Sequence, residues 1–211
     1  MKVIQPSIQI LSNINGSEIL KHLEMCGRVC YKSEDKISEE SSEKFLQNIV
    51  KRGHEAVLEH YNITVKFICD RGVSHEIVRH RLASYCQEST RYCNYAKEKF
   101  DNEITVIQPC FFEKDSREYF IWERNMECCE KAYFDLLDCG CTPQQARDVL
   151  PNSLKTEIVM TANIREWRHF LKLRCSKAAH PQMIEVACKI LTEFHLNIPI
   201  LFDDIWEEVY G

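Results

Sequence analysis

The spacing of apolar residues changes several times along this chain, and each change marks an element. Leu20, Leu23, Cys26 and Cys30 recur at helical spacing behind Ser17, which predicts a first helix capped by that hydroxyl. Phe45, Leu46, Ile49 and Val50 predict a second helix over 38–52, with Gly53 as its terminator. The period then falls to two. Tyr61, Ile63, Val65, Phe67 and Cys69 alternate with Asn62, Thr64, Lys66 and Ile68, the pattern of a strand with mostly one buried face. A short helix is predicted from Val73 to about Leu82, followed by loop, and a strand from Ile104 to Ile107 closed by Pro109. Asp115 or Ser116 starts a long helix through Tyr119, Met126, Tyr133 and Leu137, which Gly140 ends. Thr142-Pro143 reads as a cap with proline at the first helical position, and that helix stops before Pro151. Thr156 to Thr161 predicts a strand. Asn163 with Glu166 three residues on resembles a capping box for a helix to Arg174. Further helices are predicted from Pro181 and over 200–209. Helices outnumber strands without alternating regularly with them, so the fold class is α+β.

Composition narrows the function classes. The 211 residues are 45% hydrophobic and 28% charged, with no low-complexity tract, linker or repeat. No apolar run approaches the ~20 residues that span a bilayer. Met1 to Ile4 runs straight into Gln5, Pro6 and Ser7, so no secretory leader is read and a cytoplasmic setting is expected. Twelve cysteines suggest zinc or disulfides, but no Cys-x-x-Cys pair occurs. In a reducing compartment most of these cysteines are expected to be small buried hydrophobes, and no metal site is predicted. The net charge of −5 disfavours a polynucleotide partner, so any phosphate must be met by a local arginine cluster.

That cluster lies between Arg79 and Tyr92. Arg79-His80-Arg81 is followed by Ser84, Gln87, Glu88, Ser89, Thr90 and Arg91. Arginine binds phosphate bidentately, serine hydroxyls add donors, and Gln87 offers the donor and acceptor that a pyrimidine edge needs. The plainer reading is a surface patch in which Glu76 and Glu88 neutralise Arg79 and Arg91, Glu76 lying one helical turn from Arg79 and His80.

Arg-His-Arg, seven residues, then Ser is the signature of the flavin-dependent thymidylate synthases, and Arg79 to Ser89 resembles it without a gap. Gly53 to His60 is similar to that family's flavin-facing segment, and Gln145 to Pro151 to the helix whose arginine meets the nucleotide. Asn163 to Trp167 and Leu171 to Arg174 are similar to its carboxy-terminal elements. The resemblance implies a single domain over 1–211, a small antiparallel sheet flanked by helices, and a homotetramer with shared active sites. The implied reaction is reductive methylation of dUMP to dTMP. Methylenetetrahydrofolate gives the carbon, NADPH the electrons, and bound FAD carries the hydride. No Gly-x-Gly-x-x-Gly and no phosphate loop is present, and the family binds FAD without them. The unrelated folate-dependent synthases need Pro-Cys-His, whereas this chain has Pro109-Cys110-Phe111.

The resemblance also assigns residues. Arg174 is the activating group, placing positive charge where negative charge develops on the uracil ring; the alternative is a helix-terminal arginine neutralising the last carbonyls. The dUMP side comprises Glu76, Arg79, Gln87, Glu88, Ser89, Thr90, Arg91, Arg147 and Arg174. The FAD side comprises His54, Ala56, Glu59, Arg79, His80, Arg81, Gln87, Asn163, Arg165 and His169. Arg165 and His169, four apart on a helix, would share a face. The chain departs from the family pattern at Cys86-Gln87, where Asn-Glu is common, and at Cys30 and Ala56, where hydroxyl residues are common. The stretch from Arg174 to His180 is also longer than usual. Two other classes fit the cluster: a nucleotide-binding regulator without turnover, and an RNA-binding protein stacking bases on Tyr85, Tyr92 and Tyr95.

Overall fold

The computed structural model describes residues 1–211, the side chain of Lys99 apart. The chain folds into two compact units. The first comprises Met1–Ser7, Phe67–Arg79 and Tyr85–Val159; the second comprises Ile8–Lys66, His80–Ser84 and Met160–Gly211.

In the first unit, β1 (Lys2–Ile4) pairs in parallel with β5 (Thr105–Ile107), Val3 facing Val106. The long helix α4 (Arg117–Asp138) starts where expected, because the Ser116 side chain accepts from Tyr119 N at 3.1 Å. It ends at Gly140, whose φ of +87° suits a residue without Cβ. Tyr119, Trp122, Met126 and Tyr133 form its buried face and pack with Ile104, Val106 and Leu154. Thr142 and Gln145 close a capping box on the short α5 (Pro143–Ala146), which the 3-10 turn Arg147–Val149 extends.

The second unit holds α1 (Gly16–Val29), α2 (Ser41–Lys51), the 3-10 segment Glu55–His60, α6 (Ile164–Arg174), α7 (Pro181–Asn197) and α8 (Pro199–Tyr210). Asn15, not Ser17, caps α1, accepting from Glu18 N at 3.3 Å. Trp167 centres the core: its indole edge meets Phe170 and Phe194 at 5.5 and 5.4 Å, and its Nε1 donates to Ile63 O at 3.0 Å.

Four strands form a sheet in the order β2-β3-β6-β4, namely β2 (Ser7–Ile10), β3 (Asn62–Asp70), β6 (Lys155–Asn163) and β4 (Ala83–Gln87). The Thr64 and Thr161 hydroxyls meet at 2.9 Å, and Ile164 N donates to Tyr61 O at 3.0 Å. Rising numbers on β3 thus face falling numbers on β6, which makes that pair antiparallel.

Three further expectations change. The parallel β1–β5 pair stands apart from the one antiparallel sheet expected. The helix α3 (Arg71–Ile77), capped by Asp70, ends five residues before Leu82, and β4 occupies what was read as loop. The reason is that Val73 and Ile77 are buried one turn apart, while the next position on that face is the exposed Arg81. Among the described residues no cysteine is in a disulfide, and of the twelve Cys69 and Cys175 are buried, so most are not core hydrophobes.

Candidate functional site

Helix α6 and its cap carry three of the ten residues assigned to flavin, Asn163, Arg165 and His169. Asn163 caps it, its Oδ1 accepting from Glu166 N at 2.9 Å, so the expected capping role is half of the predicted box. One face of the helix then presents Arg165 and His169, as their spacing requires. With Asn163, Glu55, Glu59 and Lys172 they line a cavity of about 730 Å³ in the second unit. Arg165 Nη1 donates to Glu59 Oε1 at 2.5 Å. Arg168, only 1% exposed, donates to Glu55 at 3.2 Å, to both Asp204 oxygens at 2.8 and 2.7 Å, and to Leu201 O. The wall therefore interleaves guanidinium and carboxylate groups, each cation already oriented by an anion.

His80 is buried in the same unit. Its Nε2 accepts from Arg174 Nε at 3.0 Å, and its Nδ1 lies 3.3 Å from Glu166 Oε1. The Phe170 ring meets it edge-on at 4.8 Å, and His169 lies at 5.6 Å. Burial, then the Arg174 and His169 charges, push its pKa down to about 4. At neutral pH the ring is uncharged and has a single lone pair. That pair is on Nε2, facing Arg174, so Nδ1 carries the proton and donates it to Glu166. Burial raises the Glu166 carboxyl above the usual carboxylate range, with His169 opposing the rise.

His80, Glu166 and His169 could offer ligand atoms within 4.8 Å of one another, the spacing of a metal cluster. The tautomer argues against that use. A cation on Nδ1 would need the lone pair there and would turn Nε2–H against the Arg174 donor.

His54 lies elsewhere in the second unit. Its Nδ1 is 3.4 Å from the Tyr31 hydroxyl, and it lines a different cavity of about 330 Å³ with Arg28, Lys36, Phe45 and Arg52. Ala56 and Glu59 are exposed on the 3-10 segment, and Arg81 is exposed in the turn after His80.

Most residues assigned to dUMP belong to the first unit. Arg147 Nη1 reaches the buried Thr90 hydroxyl at 3.5 Å, and Arg91 Nε donates to Gln144 Oε1 at 3.0 Å. Ser89 Oγ accepts from Arg91 N at 3.3 Å. Two guanidinium groups thus flank the Ser89–Arg91 turn, the arrangement that bidentate phosphate recognition uses. Gln87 Nε2 donates to Ser74 Oγ at 2.9 Å and Thr156 Oγ1 at 3.2 Å. Glu88 does not neutralise Arg91. It accepts from Lys155 Nζ at 3.0 Å and from the Tyr95 hydroxyl at 3.3 Å. Burial opposes a charge on Lys155, but its pairs with Glu157 and Glu88 hold its pKa above the ordinary lysine value. Arg79 is exposed, and its N donates to Glu76 O at 3.3 Å.

Nothing in the sequence marks Glu166 or Lys155 as a site residue. Glu166 was visible only as a helix cap, and Lys155 lies 67 residues from Glu88, beyond any local pattern.

This α+β arrangement is shared with a solved UMP/dUMP methylase, PolB from Streptomyces cacaoi bound with 5-Br dUMP. The TM-score is 0.76 over 96% of each chain, and at 21% identity the likeness is one of fold. The family model described as thymidylate synthase complementing protein matches residues 13–200, and the chain belongs to that family. It is 34% identical over 187 residues to the flavin-dependent thymidylate synthase of Geobacter sulfurreducens, covering 85% of this chain and 79% of that one. The Corynebacterium glutamicum enzyme of the same name is 32% identical, with 92% and 81% covered. The Pyrococcus furiosus one is 38% identical over 160 residues, 75% of this chain, and the match spans 65% of that relative's length.

Proposed function

We propose that this chain is a flavin-dependent thymidylate synthase that methylates dUMP to dTMP. Methylenetetrahydrofolate is the carbon donor and NADPH the electron source. The observation that carries the reading is the Arg174 guanidinium held by a neutral, buried histidine from the Arg-His-Arg motif. Family membership and relatives named for this activity support it.

The cavity on α6 fits a flavin dinucleotide in its chemistry. Arg165 and Lys172 offer positive charge for a pyrophosphate, and Asn163, Glu55 and Glu59 offer acceptors for ribose hydroxyls and ring N–H groups. His80, Arg81 and His169 complete that set, with Arg79 and Gln87 meeting both ligands and His54 and Ala56 on the flavin-facing segment. When bound, FAD supplies the hydride chemistry, and the protein supplies orientation and charge.

In this reading Arg91 and Arg147, with Ser89 and Thr90, hold the dUMP phosphate and sugar. Glu76 and Glu88 belong to the same dUMP set, Glu88 holding Lys155 at 3.0 Å. Arg174 presents its guanidinium to the uracil N3 and the adjoining carbonyl, stabilising negative charge as it develops there. Residues 1–211 act as one functional domain, and the enzyme is a cytoplasmic homotetramer. No helix is long and apolar enough to cross a membrane among the described residues.

The test is dTMP formation from dUMP with FAD, NADPH and methylenetetrahydrofolate. Arg174→Ala should lower the rate by roughly 10²–10³, as loss of a transition-state donor does elsewhere. No product from flavin-loaded wild type would overturn the reading.

A further inference from the structure

We propose that Glu166 is a positioning residue that sets the tautomer of His80 and, through it, the orientation of the Arg174 guanidinium. The proposal rests on the dUMP methylation reading for the role of Arg174, but the device itself is a matter of three side chains.

The chain of contacts runs in one direction. Asn163 caps α6 by accepting from Glu166 N at 2.9 Å, which fixes the Glu166 backbone at the helix start. The Glu166 side chain, 8% exposed, places Oε1 3.3 Å from His80 Nδ1. A carboxylate oxygen can only accept, so this contact puts the imidazole proton on Nδ1. Nε2 is then an acceptor, and it receives the Arg174 Nε–H at 3.0 Å. A guanidinium is planar, so a bond along its Nε–H direction fixes the plane in which both terminal nitrogens lie.

The opposite tautomer would set two donors against each other. With the proton on Nε2, His80 and Arg174 would both point N–H at the same space, and the arginine would leave its present orientation. Ring rotation offers no escape, because Phe170 packs edge-on at 4.8 Å and His169 lies at 5.6 Å. Glu166 is the acceptor that selects one tautomer, the part a carboxylate takes beside a histidine in many sites.

The experiment compares wild type, Glu166→Gln, Glu166→Asp and Glu166→Ala as the full flavin-loaded chain. ¹⁵N imidazole spectra report the tautomer of His80, assigned by its loss in His80→Gln. Wild type should show the Nδ1–H form, and Glu166→Gln should keep it, because a carboxamide oxygen also accepts. Glu166→Ala should move His80 towards Nε2–H and lower kcat about 10- to 100-fold, the usual cost of losing a partner that orients a site group. Glu166→Gln should stay within about threefold of wild type by the same reasoning. Glu166→Asp withdraws the carboxylate by one methylene and should fall between them in both readouts, which serves if the alanine variant does not fold. An unchanged Nδ1–H signal in both Glu166→Ala and Glu166→Asp overturns the proposal. A shifted tautomer in a protein that makes no dTMP even as wild type leaves the device standing and removes only the dUMP reading.

Discussion

His80 shows how one buried side chain ties stability to pH. Its folded pKa, about 4, lies below the ordinary histidine value of 6.5, because burial and the Arg174 charge disfavour the imidazolium. Between those values the unfolded chain holds a proton that the folded chain does not. Stability from this residue therefore falls as the pH drops from about 6.5 towards about 4. Glu166 acts in the other sense: its folded pKa is raised, so its contribution is lost as pH rises through that value. Replacing His80 by Gln removes the first dependence and leaves the second. The stability gap between wild type and His80→Gln should narrow when urea midpoints are compared at pH 7 and pH 5. A gap that widens on acidification would mean that His80 is charged in the folded protein. The motif made His80 legible in the sequence, but its charge state was not, because that depends on Glu166, 86 residues away.

At the scale of elements, long periodic segments were the most legible. The amphipathic stripes of α2 and α4 and the alternation of β3 and β6 each bury a face, and burial is what their spacing encodes. Strand β4 shows no clear period in the sequence, because Ser84 and Cys86 face outward and Ala83, Tyr85 and Gln87 make an opposite face that is only half-buried. What orders this stretch is non-local: it is the neighbour of β6 in the sheet, and Glu88 N just beyond it donates to Glu157 O at 2.8 Å. Short β1 and β2 were missed for a similar reason, three or four residues being too few to show a period. No motif or spacing in the sequence marks Arg168, although it joins α6 to α8 through Asp204 and to the 3-10 segment through Glu55. Arg168→Leu should take one partner from each carboxylate, leaving Asp204 with Lys172 at 3.4 Å and Glu55 with Arg165 at 3.9 Å, and break the hydrogen bond to Leu201 O. Loss of one partner from a buried pair costs about 3–5 kcal/mol. Asp204 is 42% and Glu55 27% exposed and can recover some hydration, so the lower end, about 3 kcal/mol, is expected. Chemical denaturation of the two proteins measures it, and a loss below about 1 kcal/mol would assign Arg168 to a surface-like pair.

Across the whole molecule, the two ligand sets divide between the two units. Arg91, Arg147, Ser89 and Thr90, assigned to dUMP, lie in the first, while Asn163, Arg165, His169 and Glu59, assigned to flavin, lie in the second. Arg174 is the exception on the dUMP side, and Arg79 and Gln87, assigned to both ligands, belong to the first unit. This division follows from where the chain crosses between units, within β2, β3, β4 and β6 and between Arg79 and His80, and no spacing in the sequence announces it. It makes the two binding functions separable by mutation. Arg147→Ala removes a guanidinium that reaches Thr90 but no contact of the α6 cavity. Purified Arg147→Ala should keep its yellow flavin absorbance while the KM for dUMP rises about 10- to 100-fold, as expected when a charged hydrogen bond of about 1.5–3 kcal/mol is lost. The double variant Asn163→Ala, Arg165→Ala removes the cap of α6 and the Glu59 pair from that cavity. It should release flavin, read as loss of visible absorbance after gel filtration. Dissociation constants for dUMP, measured calorimetrically on flavin-free protein, should stay within about threefold of wild type, since no contact assigned to the phosphate is touched. If Arg147→Ala emptied the protein of flavin, or the double variant abolished dUMP binding, the assignment of separate ligand sets to the two units would fail, whatever the activity of the wild type.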